Sequence, residues 1–257
     1  MVTEDRQIAL KSKWRWYGLM LAIAFPWCAL AADNLPSKSS TVTVIFENDL
    51  FGGSDSQYTN GIQIGWLSSD LRSYDEERRL PRWFLPIVAR LPFINGPDRQ
   101  YNVGFTLGQQ TFTPEDIKTP TLIVDDRPYA GWLYGGLALV SKNEIALDTL
   151  QFQLGVIGPA SLAEEAQDLV HDLRDIPTAK GWDNQLHNKP GVALIYQHKH
   201  RVWRSPSATG WSSDLIAHGG GVLGNVYTFL NAGGEFRFGW NGPGRLRDVT
   251  HRARRYA

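Results

Sequence analysis

The sequence is short of cysteine, of long apolar runs and of any excess of one charge sign. Its single cysteine, Cys28, lies near the N-terminus, so the remaining chain can form neither a disulfide nor a catalytic thiolate. Lys and Arg total 26, as do Asp and Glu, which argues against a nucleic-acid partner because such proteins carry a basic surface. After residue 33 no stretch reaches the roughly 18 apolar residues that a membrane helix requires. The sequence also has no G-x-S-x-G motif and no phosphate-binding glycine loop.

The N-terminus has the three regions of a secretory signal peptide. Basic residues at 11, 13 and 15 precede an apolar run over residues 17–30, and small residues follow at 31 and 32. This order predicts that residues 1–32 are a signal peptide. Residues 33–257 would then form the exported domain.

Within that domain, several short segments alternate large apolar residues with small or polar ones. In residues 101–108 and 149–156, one face is aromatic or aliphatic and the other is Gly, Gln, Asn or Thr. A soluble sandwich would place charged residues on its solvent face, whereas a barrel in lipid is apolar outside and polar inside. The pattern therefore predicts an all-β, transmembrane antiparallel β-barrel, with a periplasmic β-sandwich as the alternative.

Two long inserts separate the predicted strands. Residues 68–100 predict a surface loop containing a short amphipathic helix over Arg82–Leu91. Residues 158–190 predict a clearer helix that begins at a capping box, Ser161 to Glu164, and continues to Pro177.

Two sets of residues could support chemistry. Glu47, Asn48, Asp49 and Asp55 place several oxygen ligands in nine positions around a predicted hairpin, as a Ca²⁺ site requires, although a polar turn has the same composition. His171 would share one face of the second helix with Glu164 and Gln167. A histidine in such a setting can act as a general base, and the alternative is an ordinary surface residue.

Together, these segments resemble the outer-membrane lipid A 3′-O-deacylase family. The resemblance rests on five motifs in family order over roughly residues 41–240: Asn48-Asp49, Tyr58-Thr59-x-Gly61, Asp126-Arg127-Pro-Tyr-Ala-Gly-Trp132, Ile157-Gly158-Pro159 before a helix with Gln167-x-x-x-His171, and Gly181-Trp182-Asp-Asn-Gln185.

The resemblance implies a twelve-stranded barrel in the cell outer membrane, with a short helix and the active site near the extracellular rim. The matching functional positions are Asn48, Asp49, Thr59 and His171. The implied reaction is hydrolysis of the 3′ acyloxyacyl ester of lipid A, with His171 as the base on a water molecule. Asn48 and Asp49 would hold the Ca²⁺ that stabilises the oxyanion.

The substrate-binding residues follow the family less closely. The family has a basic pair for the lipid A phosphates, of which only Lys118 matches, because Ile117 occupies the other position. Arg127 could supply part of that role. We expect a monomer whose partners are lipopolysaccharide and the outer membrane.

The C-terminal part departs from the family pattern. After Trp240 the chain is basic and does not alternate. We therefore expect about eight recognisable strands, without the last strands of the family. Two further functions therefore stay open: a catalytically inactive or truncated barrel with a structural role, and a phospholipase-type barrel esterase.

Overall fold

The computed structural model describes residues 38–48, 60–91, 93–174, 178–205 and 210–240. The predicted signal peptide and the basic C-terminal segment lie outside these residues. Within them, eight antiparallel strands form one sheet in which each strand pairs with its neighbours in sequence. The strands are β1 (Thr41–Asn48), β2 (Asn60–Leu67), β3 (Gln100–Phe112), β4 (Ala130–Lys142), β5 (Ala146–Ile157), β6 (Lys189–Ser205), β7 (Trp211–Gly224) and β8 (Phe229–Trp240). The all-β antiparallel barrel wall and its eight recognisable strands are therefore confirmed.

The two faces of the sheet differ in chemistry, as the alternation predicts. One face, called here the outer face, exposes large apolar side chains from every part of the sheet: Val42, Val44, Ile62, Ile64, Leu107, Phe152, Leu154, Leu223, Leu230 and Phe236. The opposite, inner face carries buried polar side chains that bond to one another across strands. Tyr134 Oη donates to Gln63 Oε1 at 2.9 Å, and Gln151 Nε2 donates to Thr106 Oγ1 at 3.2 Å. An apolar outer face and a polar inner face are what a barrel in lipid requires.

Ionic contacts also stabilise the inner face. Asp214 lies between Arg201 and Arg237 and is ion-paired with both. All three residues belong to the alternate positions that point away from the apolar outer face, so their charges are kept out of lipid.

The described strands end in two unpaired edges. In the ranges that the structure describes, neither the free side of β1 nor that of β8 has a partner strand. Those ranges also contain no helix that is long and apolar enough to cross a membrane.

The connections between strands alternate between the two ends of the sheet. The β2–β3 connection contains the single-turn helix α1 (Leu85–Val88), and the β5–β6 connection contains the longer helix α2 (Ala163–Arg174). Because the strands are antiparallel, these two connections lie at opposite ends of the sheet. Both pack on the outer face, since each contacts strand residues that alternate in phase with the exposed apolar set.

Both helices differ from the sequence-based predictions in extent. The first was expected over Arg82–Leu91, but only four residues are α-helical. Pro86 has no N–H to donate, and the amides of Phe84 and Ile87 bond three residues back, so the flanking chain forms tight turns instead.

The predicted capping box of α2 is wrong. Ser161 ends a short 3₁₀ turn, and Leu162 follows with a left-handed φ of 57° before the helix begins at Ala163. The Ser161 hydroxyl has no hydrogen-bond partner among the described residues. The helix is described as far as Arg174, and the predicted end at Pro177 lies outside the described residues.

Candidate functional site

Helix α2 lies directly on the outer face because β4 has a glycine beneath it. A Cβ atom at Gly131 would overlap both Ser161 Oγ and Ala163 Cβ, so any side chain at this position would push the start of α2 away from the wall. Gln109 of β3 fixes the same turn, since its Nε2 donates to the carbonyl oxygens of Ser161 and Leu162 at 2.6 and 2.9 Å. No motif pointed to Gln109, because its partners are backbone atoms more than 50 residues away.

The face of α2 that carries Gln167 and His171 is buried. Gln167 and His171 lie one turn apart, with 0% and 1% of their surface exposed. The Trp182 indole N–H donates to Gln167 Oε1 at 2.9 Å, and the Trp182 ring packs on Tyr129 with the ring centroids 4.9 Å apart. The wall, the helix and the segment after the helix are thereby held together. The alternative of an ordinary surface histidine does not fit this burial.

A row of paired residues on the outer face connects the end of β1 to the helix. Asn48 pairs with Asn60, Asn60 pairs with Thr111, and Thr111 pairs with Gly131 beneath α2. Asn60 and Thr111 are buried, and the Thr111 hydroxyl has no hydrogen-bond partner in the described parts of the chain. The register therefore brings one predicted site residue, Asn48, into the same row as the docking point of the helix that carries another.

The rest of the predicted catalytic and metal set is only partly visible. Asp49 and Thr59 lie outside the described residues, and for Asn48 only the backbone pairing is described. Within the described ranges no group of three His, Cys, Asp or Glu side chains could hold a metal ion. The buried Thr111 hydroxyl, two strands from Asn48, has no hydrogen-bond partner within the described ranges, and hard cations accept such neutral oxygens as well as charged ones as ligands.

The two predicted substrate-binding residues occupy different places. Lys118 is exposed in the β3–β4 connection, where its backbone N–H donates to Asp116 Oδ1 at 2.9 Å. Arg127 lies over the ring of Phe112, with its guanidinium carbon 5.9 Å from the ring centroid. It lines a cavity of about 410 Å³ on the inner face, together with Trp132 and Tyr134. The structure thus places Arg127 on the opposite side of the wall from α2.

The N-terminal turn of α2 is acidic, with Glu164 and Glu165 next to each other. Burial, and then the nearby carboxylates of Asp168, Glu165 and Asp183, raise the pKa of Glu164 above its usual value. A hydrogen bond from Gln185 Nε2 at 3.3 Å partly offsets this effect because it favours the ionised form.

Comparison with known proteins agrees with this arrangement. The model of the family described as "Outer membrane protein LpxR" matches residues 18–249 of the sequence. The chain belongs to this family. No curated protein matches it significantly.

One solved structure gives a fold-level comparison for this LpxR family member. LpxR from Salmonella typhimurium is 18% identical, with a TM-score of 0.57, over 77% of this chain. The match spans 62% of the length of the Salmonella chain. The likeness establishes a shared β-barrel architecture, and family and fold both support a location in the outer membrane.

Proposed function

We propose that this protein is a lipid A 3′-O-deacylase, which hydrolyses the 3′ acyloxyacyl ester of lipid A in the outer leaflet of the outer membrane. The observation that carries the proposal is the buried Gln167–His171 face of α2, held against the lipid-facing side of the wall. A site between the wall and an external helix can be reached by a lipid that diffuses in the membrane plane. Membership in the LpxR family supports the same reaction.

His171 acts as the general base in this proposal. An ester hydrolase without a serine nucleophile must activate water, and neutral imidazole is suited to that task near neutral pH. Burial on α2 limits the rotation of the ring, and the Trp182–Gln167 hydrogen bond fixes the turn before it. Asn48, Asp49 and Thr59 complete the catalytic set.

A Ca²⁺ ion bound near Asn48 and Asp49 is part of the proposal. When bound, the ion polarises the ester carbonyl and stabilises the oxyanion. The buried Thr111 hydroxyl, which has no hydrogen-bond partner among the residues that the structure describes, supports an oxygen-rich site in the same row as Asn48.

Lys118 is proposed to bind a lipid A phosphate from the loop above the wall, where it is exposed. Arg127 is a weaker candidate for the same role, because its side chain lines the inner cavity.

The test is incubation of purified lipid A with the full chain folded in detergent, with and without a calcium chelator, followed by mass spectrometry. Loss of the 3′ acyloxyacyl group that stops with chelator and returns with added Ca²⁺ supports the proposal. Glycerophospholipids run in parallel identify a phospholipase-type esterase if they, and not lipid A, lose acyl chains. Absence of any hydrolysis by a chain that migrates as a heat-modifiable barrel on a gel would favour the inactive barrel instead.

A further inference from the structure

The β2–β3 connection forms a second structure on the outer face, at the end of the strands opposite α2. Five of its side chains (Leu71, Tyr74, Leu80, Val88 and Ile94) are buried against outer-face residues of β3 and β4, which include Tyr101, Val103 and Leu139. The connection therefore covers part of the lipid-facing wall and does not extend into solvent.

Specific contacts fasten the connection to the wall across several strands. Tyr74 Oη donates to the backbone oxygen of Val140 at 3.0 Å. The Phe93 ring packs edge-on against the ring of Tyr196 in β6, with the ring centroids 5.0 Å apart. Arg99 donates to Asp148 of β5 in an ion pair of 2.6 Å, with only 16% and 4% of the two side chains exposed. The segment is thereby held in one orientation relative to the membrane.

The connection also exposes three large apolar side chains. Trp83 is 72% exposed, Ile87 49% and Phe93 40%. Leu107 and Phe152 are likewise exposed on the outer face of the strands. A soluble surface rarely shows three such side chains together, whereas an interfacial membrane segment places Trp and Phe in this way.

The charged residues in the second half of the connection are arginines, while the acidic residues of the connection lie before residue 78 and at Asp98. Residues 78–97 contain four arginines and no acidic residue. Arg79 is engaged with the wall, because it pairs with Glu77 at 3.0 Å and lies 4.4 Å from the Trp66 ring centroid. Arg78, Arg82 and Arg90 are exposed beside the apolar side chains, an arrangement that complements lipid phosphates.

The length of the wall puts this segment at a membrane interface. β3 has 13 residues, or about 40 Å at the usual rise of a strand. At the usual barrel tilt this spans roughly 30 Å along the membrane normal, close to the thickness of the hydrocarbon core. With α2 at one end of β3, the β2–β3 connection meets the other leaflet.

We propose that residues 78–93 are an interfacial anchor that inserts Trp83, Ile87 and Phe93 into the leaflet opposite α2 and binds anionic phospholipid there through Arg78, Arg82 and Arg90. Such an anchor fixes the depth and rotation of the wall in the membrane, and so the level at which α2 meets its own leaflet. The proposal does not depend on the deacylase reaction.

Spin labels test the insertion. In a Cys28→Ser background, one label is placed at Trp83→Cys and a control label at Val124→Cys, which is 85% exposed in the β3–β4 connection at the α2 end. The full chain is reconstituted in phosphatidylcholine vesicles containing phosphatidylglycerol. The proposal predicts that the label at 83 collides with oxygen and is shielded from an aqueous nickel chelate, while the label at 124 shows the reverse. Equal nickel accessibility at both positions would overturn it.

Lipid selectivity tests the arginines independently. Spin-labelled phosphatidylglycerol should associate with the lipid-facing surface of the wild-type protein several-fold more strongly than spin-labelled phosphatidylcholine. We expect this preference to fall towards unity in R82Q/R90Q and to persist in K180Q/K189Q, which removes the same charge from exposed residues at the other end. Unchanged selectivity in R82Q/R90Q, or an equal loss in both variants, would refute the arginine contacts even if the segment inserts.

Discussion

Gly131 offers the sharpest test of how the site is built, because the contact of α2 with the wall depends on the missing side chain. A methyl group at this position would overlap two heavy atoms, Ser161 Oγ and Ala163 Cβ. Ordinary Cβ contacts begin near 3.4 Å, so we expect Gly131→Ala to displace the start of α2 by on the order of 1 Å. A misplacement of that size can cost about 100-fold in rate, and overpacking costs about 1–3 kcal/mol in stability.

Gly135→Ala is the matched control for this substitution. Gly135 lies on the same face of the same strand, and its added methyl would find only the Thr106 backbone oxygen, 3.9 Å away. The two variants change the unfolded chain in the same way, so their difference reports on α2 alone.

The assays are the initial rate of lipid A deacylation and hydrogen exchange of the amides in α2. We expect G131A to lose activity and to exchange faster in α2, while G135A stays close to wild type in both. If G131A keeps the activity and exchange protection of G135A, the contact described here does not position the helix.

Three further predictions concern groups around α2 and the β2–β3 connection. Trp182→Phe removes the indole donor to the buried Gln167 amide and should cost about 1–3 kcal/mol, measured as a lower thermal midpoint with reduced activity. Glu164→Gln should slow hydrogen exchange in α2 at neutral pH. Because the folded-state pKa of Glu164 is raised, ionisation of its carboxyl destabilises the folded protein as the pH rises above about 4.5. The difference in exchange rate between the variant and wild type should therefore vanish at lower pH. Arg99→Met removes the buried cation that joins the end of the connection to Asp148, although Tyr196 and His198 still hydrogen-bond that carboxylate. The loss of this ion pair should loosen the connection and speed tryptic cleavage within residues 78–90.

Each of these variants has a result that would count against the reasoning. Arg72→Met is the control for Arg99→Met, because it removes one tryptic site from an exposed position of the same connection. Equal cleavage of both variants would mean that the Arg99–Asp148 ion pair does not hold the connection on the wall. An unchanged midpoint in Trp182→Phe would mean that Gln167 is satisfied in another way. Faster exchange in Glu164→Gln at neutral pH would reverse the assigned sign.

The strands could be predicted from the sequence because a wall between lipid and a polar interior imposes a two-residue period. Residues such as Leu107 and Phe152 are exposed on one face, while Gln151 and Gln153 are buried on the other. That alternation is local, so it can be read without knowing the fold.

Part of the site could be predicted as well, again because a local period reveals it. Gln167 and His171 lie one helical turn apart on a shared face, as predicted, whereas the burial of both was learned only from the structure. The capping box failed because tertiary contacts decide the start of α2: Gln109 binds the Ser161 and Leu162 carbonyl oxygens from a distant strand. No local pattern encodes that contact.

The β2–β3 connection was harder to interpret than the strands. Its charged and then apolar composition suggested a surface loop with a helix, and only one turn of helix is present. Its packing on the outer face depends on partners such as Asp148 and Tyr196, which lie in strands about 50 to 100 residues later in the chain. Those contacts could not be derived before the sheet was known.

The most direct test of the central claim compares His171→Gln with His187→Gln on purified lipid A. His187 belongs to the same β5–β6 connection but is exposed, so its variant controls for the loss of one imidazole. If His171 is the general base, its variant should lose about 100- to 10,000-fold in kcat while the folded barrel and its KM are retained. The His187 variant should match wild type. Wild-type kcat in His171→Gln would contradict the account.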